Sequence, residues 1–333
     1  MFKMSHIAIL GLGNWGTALA KTWLDAKHDV SGWTIETEVY ESITSKSINE
    51  KYLPDIELSK MYTTMRLEEC LENAEIIVFA LPSSVILDVV ADVIPFLRPS
   101  HVLIDLAKGL TPEGGSISEE IVEMLRSNEK LNPVAVMTGP TIAPEVAKGV
   151  ITTALIACND EGVANKLVQR LTTNHLLLQA TDDPKGAELW GAYKNIVAVA
   201  CGISDGLKKV TEKGGDNLKA AIFARGFSEG CLLLSEMGAK PSTAFGPAGI
   251  GDLYVTAASP YGRNRTLGEK LGTGLNLKEA RDEMHMVSEG VNATYIFHQK
   301  LAEMDIDNHF ISTLKSLLDD EIDAETCLTK LLS

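Results

Sequence analysis

The feature that most constrains this chain is an apolar run that breaks on glycines: His6-Ile7-Ala8-Ile9-Leu10 leads straight into Gly11-Leu12-Gly13-Asn14-Trp15-Gly16. The aliphatic run fits a buried strand, and Thr17-Ala18-Leu19-Ala20 beyond the last glycine fits a helix. Each glycine answers a steric need: Gly11 permits the tight turn, Gly13 lets the backbone approach a pyrophosphate, and Gly16 lets helix and strand pack closely. A helix starting there presents unpaired N–H groups and its positive dipole end, as a diphosphate requires. Glycines elsewhere, such as those between 109 and 115, lack this strand–helix context and read as loops. An acidic residue about twenty positions on should meet the adenosine ribose. Glu36 stands there with no arginine beside it to neutralise a 2′-phosphate, which favours NAD over NADP; the other reading of Glu36 is a solvated surface carboxylate.

The alternation of short apolar runs with helical patterns continues through the first half, the signature of a parallel sheet covered by helices. Strands are expected at 6–10, 29–33, 75–81, 101–106, 133–137, 151–158 and 175–179, and helices at 14–27, 85–96, 116–127 and 161–171. Near Thr181 the strands stop. Asp182-Asp183-Pro184 reads as a capping aspartate followed by proline in a first turn, opening a helix to about residue 204. The chain of 333 residues is long for one core, since single cores stop growing at roughly 250–300 residues. The expectation is an α/β N-terminal domain, 1–182, with a Rossmann-type doubly wound sheet, and an all-α C-terminal substrate domain, 183–333.

A net charge of −15 argues against nucleic acid or an anionic membrane as partner. An anionic small molecule would have to be held by a local group of cations working against that field. The five cysteines are dispersed and form no Cys-x-x-Cys pair, which suits a reducing compartment. The first residues show no signal-peptide pattern, and the apolar region 75–97 is broken by Pro82, Asp88, Asp92 and Pro95. The expectation is a cytoplasmic chain with no membrane insertion.

The seven histidines are scattered, and no metal-ligand spacing is present, so no metal is expected. If hydride transfer is the chemistry, lysines are the candidates for moving the hydroxyl proton. Lys108 follows an expected strand at its carboxyl end, where open α/β sheets bind ligands. Lys194 stands mid-helix between Tyr193 and Asn195, before Ile196-Val197. Partial desolvation beside other cations lowers an amine's pKa towards neutrality; the alternative for each is a solvated charge. Gly262-Arg263-Asn264-Arg265 reads as a loop opening a helix, where N–H groups and a guanidinium suit a phosphate, or as a capped helix with solvent-facing arginines.

Taken in order, these blocks resemble the NAD(P)-dependent glycerol-3-phosphate dehydrogenase family over nearly the whole chain. The glycine block is joined by Lys51-Tyr52-Leu53-Pro54, Lys108-Gly109-Leu110 and Gly139-Pro140-Thr141-Ile142-Ala143. Further on come Leu189-Trp190-Gly191-Ala192-Tyr193-Lys194-Asn195, Gly251-Asp252-Leu253, Gly262-Arg263-Asn264-Arg265 and Val287-Ser288-Glu289-Gly290. The resemblance implies interconversion of sn-glycerol 3-phosphate and dihydroxyacetone phosphate with NAD, NADP being possible, to supply glycerol 3-phosphate for glycerophospholipid synthesis. It implies Lys194 as proton acceptor, Lys108 binding substrate and polarising the oxyanion, and Asp252 orienting the lysines. Asn195 and Thr256 would complete that shell, Gly262, Arg263 and Asn264 would hold the phosphate, and Gly139 and Thr141 would line the substrate site. On the cofactor side it implies Asn14, Trp15, Lys108, Ala143, Arg263, Val287 and Glu289, and it implies a homodimer.

Three positions depart from the family pattern: Thr138 where serine is frequent, Ser84 where histidine is frequent, and Ile35 where histidine or arginine is frequent. The last puts NADP use in doubt. Two other readings stay open: a related two-domain 3-hydroxy-acid or ketopantoate-type dehydrogenase, and a silent dinucleotide sensor. The Gly262-Arg263-Asn264-Arg265 loop speaks against the first, since a carboxylate substrate does not require it. Intact Lys108, Lys194 and Asp252 speak against the second.

Overall fold

The structure, a computed structural model, describes residues 4–260, 262–284 and 288–333. The chain divides into two compact units, one of Met1–Lys108 with Ser116–Ala187, the other of Gly109–Gly115 with Glu188–Ser333. The expected cut after Asp182 lies five residues before that division, and the loop 109–115 belongs with the second unit.

The described residues of the first unit carry ten strands: β1 His6–Leu10, β2 Asp29–Trp33, β3 Ile48–Asn49, β4 Leu53–Glu57, β5 Tyr62–Thr64, β6 Ile76–Phe79, β7 Val102–Asp105, β8 Val134–Thr138, β9 Thr152–Ala157 and β10 Leu176–Thr181. Eight form one sheet in the order β10-β9-β8-β7-β6-β1-β2-β5, while β3 and β4 make a separate antiparallel pair. Alternate residues divide between the faces. Ile7, Ile9, Ile76 and Val78 join one core with Trp23 and Leu167; Ala8, Leu10, Ile77 and Phe79 join the other with Val90 and Ile121. Burial on both sides is why these strands read as continuous apolar runs. The covering helices bury turn-spaced stripes, Ile86/Val90/Val93 and Ile117/Ile121/Leu125.

All seven expected strands are present; β3, β4 and β5 were not foreseen. The sheet also has one antiparallel junction, β8 against β9, where a parallel sheet was expected. The reason is length. The only helix between them, Ala143–Ala147, rises about 1.5 Å per residue, too little to carry the chain back along a strand rising about 3.3 Å per residue.

The regular elements among the described residues of the second unit are all helices. Asp183 caps the first long helix, Pro184–Val210, by accepting from the Gly186 N–H at 3.0 Å. That helix runs six residues beyond the expected end. It is buried on every side from Gly191 to Ser204, as expected of a helix apolar all round. It packs backbone to backbone on the helix Arg263–Gly272: a Cβ on Gly202 would lie 2.1 Å from the Arg265 carbonyl, and one on Gly268 2.0 Å from that of Val199.

Candidate active site

In the first unit the glycine turn has the geometry its sequence requires. Gly11 has φ +102°, and a Cβ there would lie 2.5 Å from the Ala80 carbonyl; its N–H donates to Trp33 at 3.0 Å. A Cβ on Gly16 would lie 2.0 Å from the Gly11 carbonyl, whereas one on Gly13 would meet nothing within 4 Å. The helix Asn14–Asp25 starts on Gly13 without a side-chain cap and with no acidic residue in its first turn. Open space over a bare, positively polarised helix end fits a dinucleotide diphosphate. Asn14 is exposed and Trp15 half-buried beside it.

The turn is pinned by a residue the sequence did not mark. Asn49, fully buried in β3, donates its amide to the Leu12 carbonyl and the Thr17 hydroxyl, both at 2.8 Å. No local signal singles it out, because its partners lie more than thirty residues away. Glu36 follows β2 and precedes the helix Thr37–Lys46. Its carboxylate is not simply solvated: Tyr52 donates to it at 2.9 Å and Lys51 pairs with it at 2.6 Å.

At the carboxyl end of β7, Asp105 accepts from the Ala107 N–H at 2.7 Å, bracing the turn that delivers Lys108. The Lys108 ammonium donates to the Gly139 carbonyl at 3.2 Å and reaches the Thr141 hydroxyl at 3.4 Å. Gly139 has φ +155° and sits against Ala154, where a Cβ would lie 2.9 Å from the neighbouring Cα. Ala143 opens the following short helix. Lys108, Gly139 and Thr141 are thus one cluster.

In the second unit Lys194 and Asp252 form an ion pair with side chains 4% and 3% exposed. Asp252 starts the helix Asp252–Ala258 directly after a π-turn, Pro247–Gly251, in which Gly249 leaves helical geometry. There a Cβ would lie 2.1 Å from the Ala244 carbonyl, so glycine lets the chain fold back and point the carboxylate inward. Thr256 donates its hydroxyl to the Asp252 carbonyl at 2.7 Å, with Oδ1 at 3.4 Å. Next to Lys194, Asn195 accepts from the Asn264 amide at 2.8 Å and donates to Glu289 at 3.4 Å. Asn264 in turn accepts from the Ser288 hydroxyl at 2.7 Å and the Gly290 N–H at 2.8 Å. Ser288 was not among the expected site residues. The expected cofactor residue Val287 lies outside the described residues.

Gly262 is the N-cap of the helix Arg263–Gly272, with no side-chain cap and no acidic residue in the first turn. The two arginines of this loop differ. Arg265 is committed to Asp205 at 2.7 Å and Glu269 at 3.4 Å, while Arg263 is exposed. Among the described residues there is no group of three or more His, Cys, Asp or Glu placed to hold a metal ion, and no helix long and apolar enough to cross a membrane.

Two family models match the chain: NAD-dependent glycerol-3-phosphate dehydrogenase N-terminus over residues 6–164, and the corresponding C-terminus over residues 183–329. A glycerol-3-phosphate dehydrogenase [NAD(P)+] of Listeria monocytogenes serotype 4b is 36% identical over 327 residues, covering 98% of this chain and 95% of that one. The crystal structure of a glycerol-3-phosphate dehydrogenase from Coxiella burnetii superposes with a TM-score of 0.87 at 31% identity, covering 99% of both chains. A ketopantoate reductase from Ralstonia eutropha JMP134 shares the fold, with a TM-score of 0.60 over 98% of this chain and 100% of that one, at 13% identity.

Proposed function

The chain belongs to the NAD-dependent glycerol-3-phosphate dehydrogenase family, and from that membership we propose how its own residues carry the reaction. It is an NAD(P)-dependent oxidoreductase interconverting sn-glycerol 3-phosphate and dihydroxyacetone phosphate. The bound dinucleotide supplies the hydride acceptor or donor at its nicotinamide ring. Gly11, Gly13, Asn14, Trp15 and Gly16 would hold its diphosphate and Glu36 would meet its adenosine ribose, and the family resemblance assigns Ala143, Val287 and Glu289 to the cofactor as well.

As the neutral amine, Lys194 takes the C2 hydroxyl proton onto its Nζ as C2 gives up hydride and the C2–O bond becomes a carbonyl, and the ammonium so formed pairs with Asp252. In the reverse direction the Lys194 ammonium returns that proton to the alkoxide oxygen. Asp252 keeps the ammonium stable in the interior and oriented, with Thr256 and Asn195 fixing its surroundings. Lys108, with Gly139 and Thr141, binds substrate and stabilises the negative charge that grows on its oxygen. Gly262, Arg263 and Asn264 take the phosphate at a helix N-terminus. The observation that carries this reading is the buried Lys194–Asp252 pair: an ammonium held out of water is costly, and a buried, charge-paired amine is what a proton-transfer role calls for.

Purified protein should oxidise NADH when dihydroxyacetone phosphate is added and only poorly with unphosphorylated dihydroxyacetone; equal rates on both refute the phosphate loop. Lys194→Ala should lower turnover by about 10²–10⁴-fold with dinucleotide affinity nearly unchanged. The family resemblance also supports a homodimer, a cytoplasmic location and a supply role in glycerophospholipid synthesis; light scattering on the purified chain tests the first.

A further inference from the structure

The short β3–β4 hairpin places two side chains at the dinucleotide site that the glycine motif does not predict. Its Asn49 is tied to the glycine turn through Leu12 and Thr17, and Lys51 and Tyr52 stand in the turn between Asn49 and Leu53. Trp33 pairs with Leu10 and accepts from the Gly11 N–H, so Glu36, three residues on, lies at the same sheet end as the glycine turn. This is where the 2′-position of an adenosine ribose is read in such folds. Tyr52 and Lys51 each occupy one oxygen of Glu36, and Lys51 also pairs with Glu38. Ile35, 74% exposed, offers no donor.

We propose that Lys51, held on Glu36 by this hairpin, is the residue that decides between NAD(H) and NADP(H). Among the described residues it is the cation paired with Glu36 and so placed for a 2′-phosphate, and its pairing with two carboxylates biases the site towards the ribose hydroxyls of NAD(H). Partial burial pushes the Glu36 carboxyl up, but the hydrogen bonds from Lys51 and Tyr52 outweigh it and hold it below the ordinary carboxylate value. The charge that repels a 2′-phosphate is therefore kept. The inference rests on the family's dinucleotide reading, with the Glu36–Lys51–Tyr52 arrangement as its own observation.

The test is isothermal titration calorimetry of NADH and NADPH against the wild type, Lys51→Met, Glu36→Gln and Tyr52→Phe, without substrate. Lys51 is 44% exposed at its side chain, and such pairs contribute little to stability, so the variants should fold. The wild type should bind NADH more tightly. Lys51→Met should weaken NADPH relative to NADH by about fivefold to tenfold, one partly exposed charge-assisted contact. Glu36→Gln should shift the ratio the opposite way, and Tyr52→Phe should weaken NADH alone. Parallel shifts for both dinucleotides, or none, overturn the proposal while leaving dinucleotide binding intact. A wild type that binds neither overturns the family reading as well.

Discussion

The buried pair in the helical unit gives the sharpest test of the site as a physical object. Lys194 and Asp252 are almost wholly out of water, at 4% and 3% side-chain exposure. Removing one partner leaves the other charge buried without its ion pair, which typically costs about 3–5 kcal/mol. Asp252→Ala and Lys194→Met should each destabilise by that amount, a large share of the roughly 5–15 kcal/mol available to a folded domain. Lys194→Met nearly conserves side-chain length, so little of its cost comes from a cavity. The double variant removes both charges and should be no worse than either single one, giving a coupling of at least about 3 kcal/mol. Urea unfolding followed by circular dichroism reads this well, because the described elements of the second unit are all helical. Costs that add to within about 0.5 kcal/mol, the behaviour of independent sites, would refute the pair as a single desolvated unit.

The glycine turn supplies a second contrast: Gly13→Ala has free space for its methyl and should melt like the wild type while losing NADH affinity. Gly16→Ala, with 2.0 Å to the Gly11 carbonyl, should lose both; calorimetry and thermal melting separate the two. Acid sensitivity should begin at two interior histidines, His28 and His101, 5% and 1% exposed. Burial first, then the charges of Arg170 and Arg98 respectively, lowers their pKa values below the ordinary 6.5. Below about pH 6.5 the unfolded chain takes up protons that the folded chain refuses, so stability is complete above that value and falls as pH drops towards the folded pKa values, by up to about 1.4 kcal/mol per unit for each. Melting temperatures at pH 7.5, 6.5 and 5.5 should show the fall, and His28→Asn with His101→Asn should flatten it.

What could be read in the sequence was what short-range sterics and periodicity encode. The glycine turn is legible because Gly11, Gly13 and Gly16 stand within six residues, directly after one apolar strand and before one helix. The seven main strands are legible because burial on both faces makes them continuous apolar runs. The hairpin β3–β4 is not: Leu53-Pro54-Asp55-Ile56-Glu57 buries only Leu53 and Ile56, so no period marks it, and proline within it argues against a strand. Yet this hairpin carries Asn49 and Lys51. In sequence no arginine stands beside Glu36, which favours NAD; the fold brings a lysine there from fifteen residues downstream, and the cofactor question becomes one of competition for that lysine.

The same distinction runs through the helical unit and decides which cations are left for an anionic substrate. Local context marks Lys194 and the Gly262-Arg263-Asn264-Arg265 loop as candidates, but the sequence does not show which charges near them are already neutralised. Asp252 lies 58 residues from Lys194, and the acids that take up Arg265, Asp205 and Glu269, reach it from a preceding helix and from one turn along its own. Only the fold shows that Arg265 is neutralised in place while Arg263, two residues earlier at the uncapped helix end, is exposed. In a chain of net charge −15, long-range potential does not attract a phosphate. Attraction has to come from cations whose local acids are already engaged elsewhere and from N–H groups that no side chain caps. Arg263→Ala should therefore weaken substrate binding where Arg265→Ala should chiefly loosen the helix packing. A steady-state comparison of KM for dihydroxyacetone phosphate with melting temperature in the two variants distinguishes these outcomes, and equal KM effects with equal melting would show that both arginines serve the phosphate.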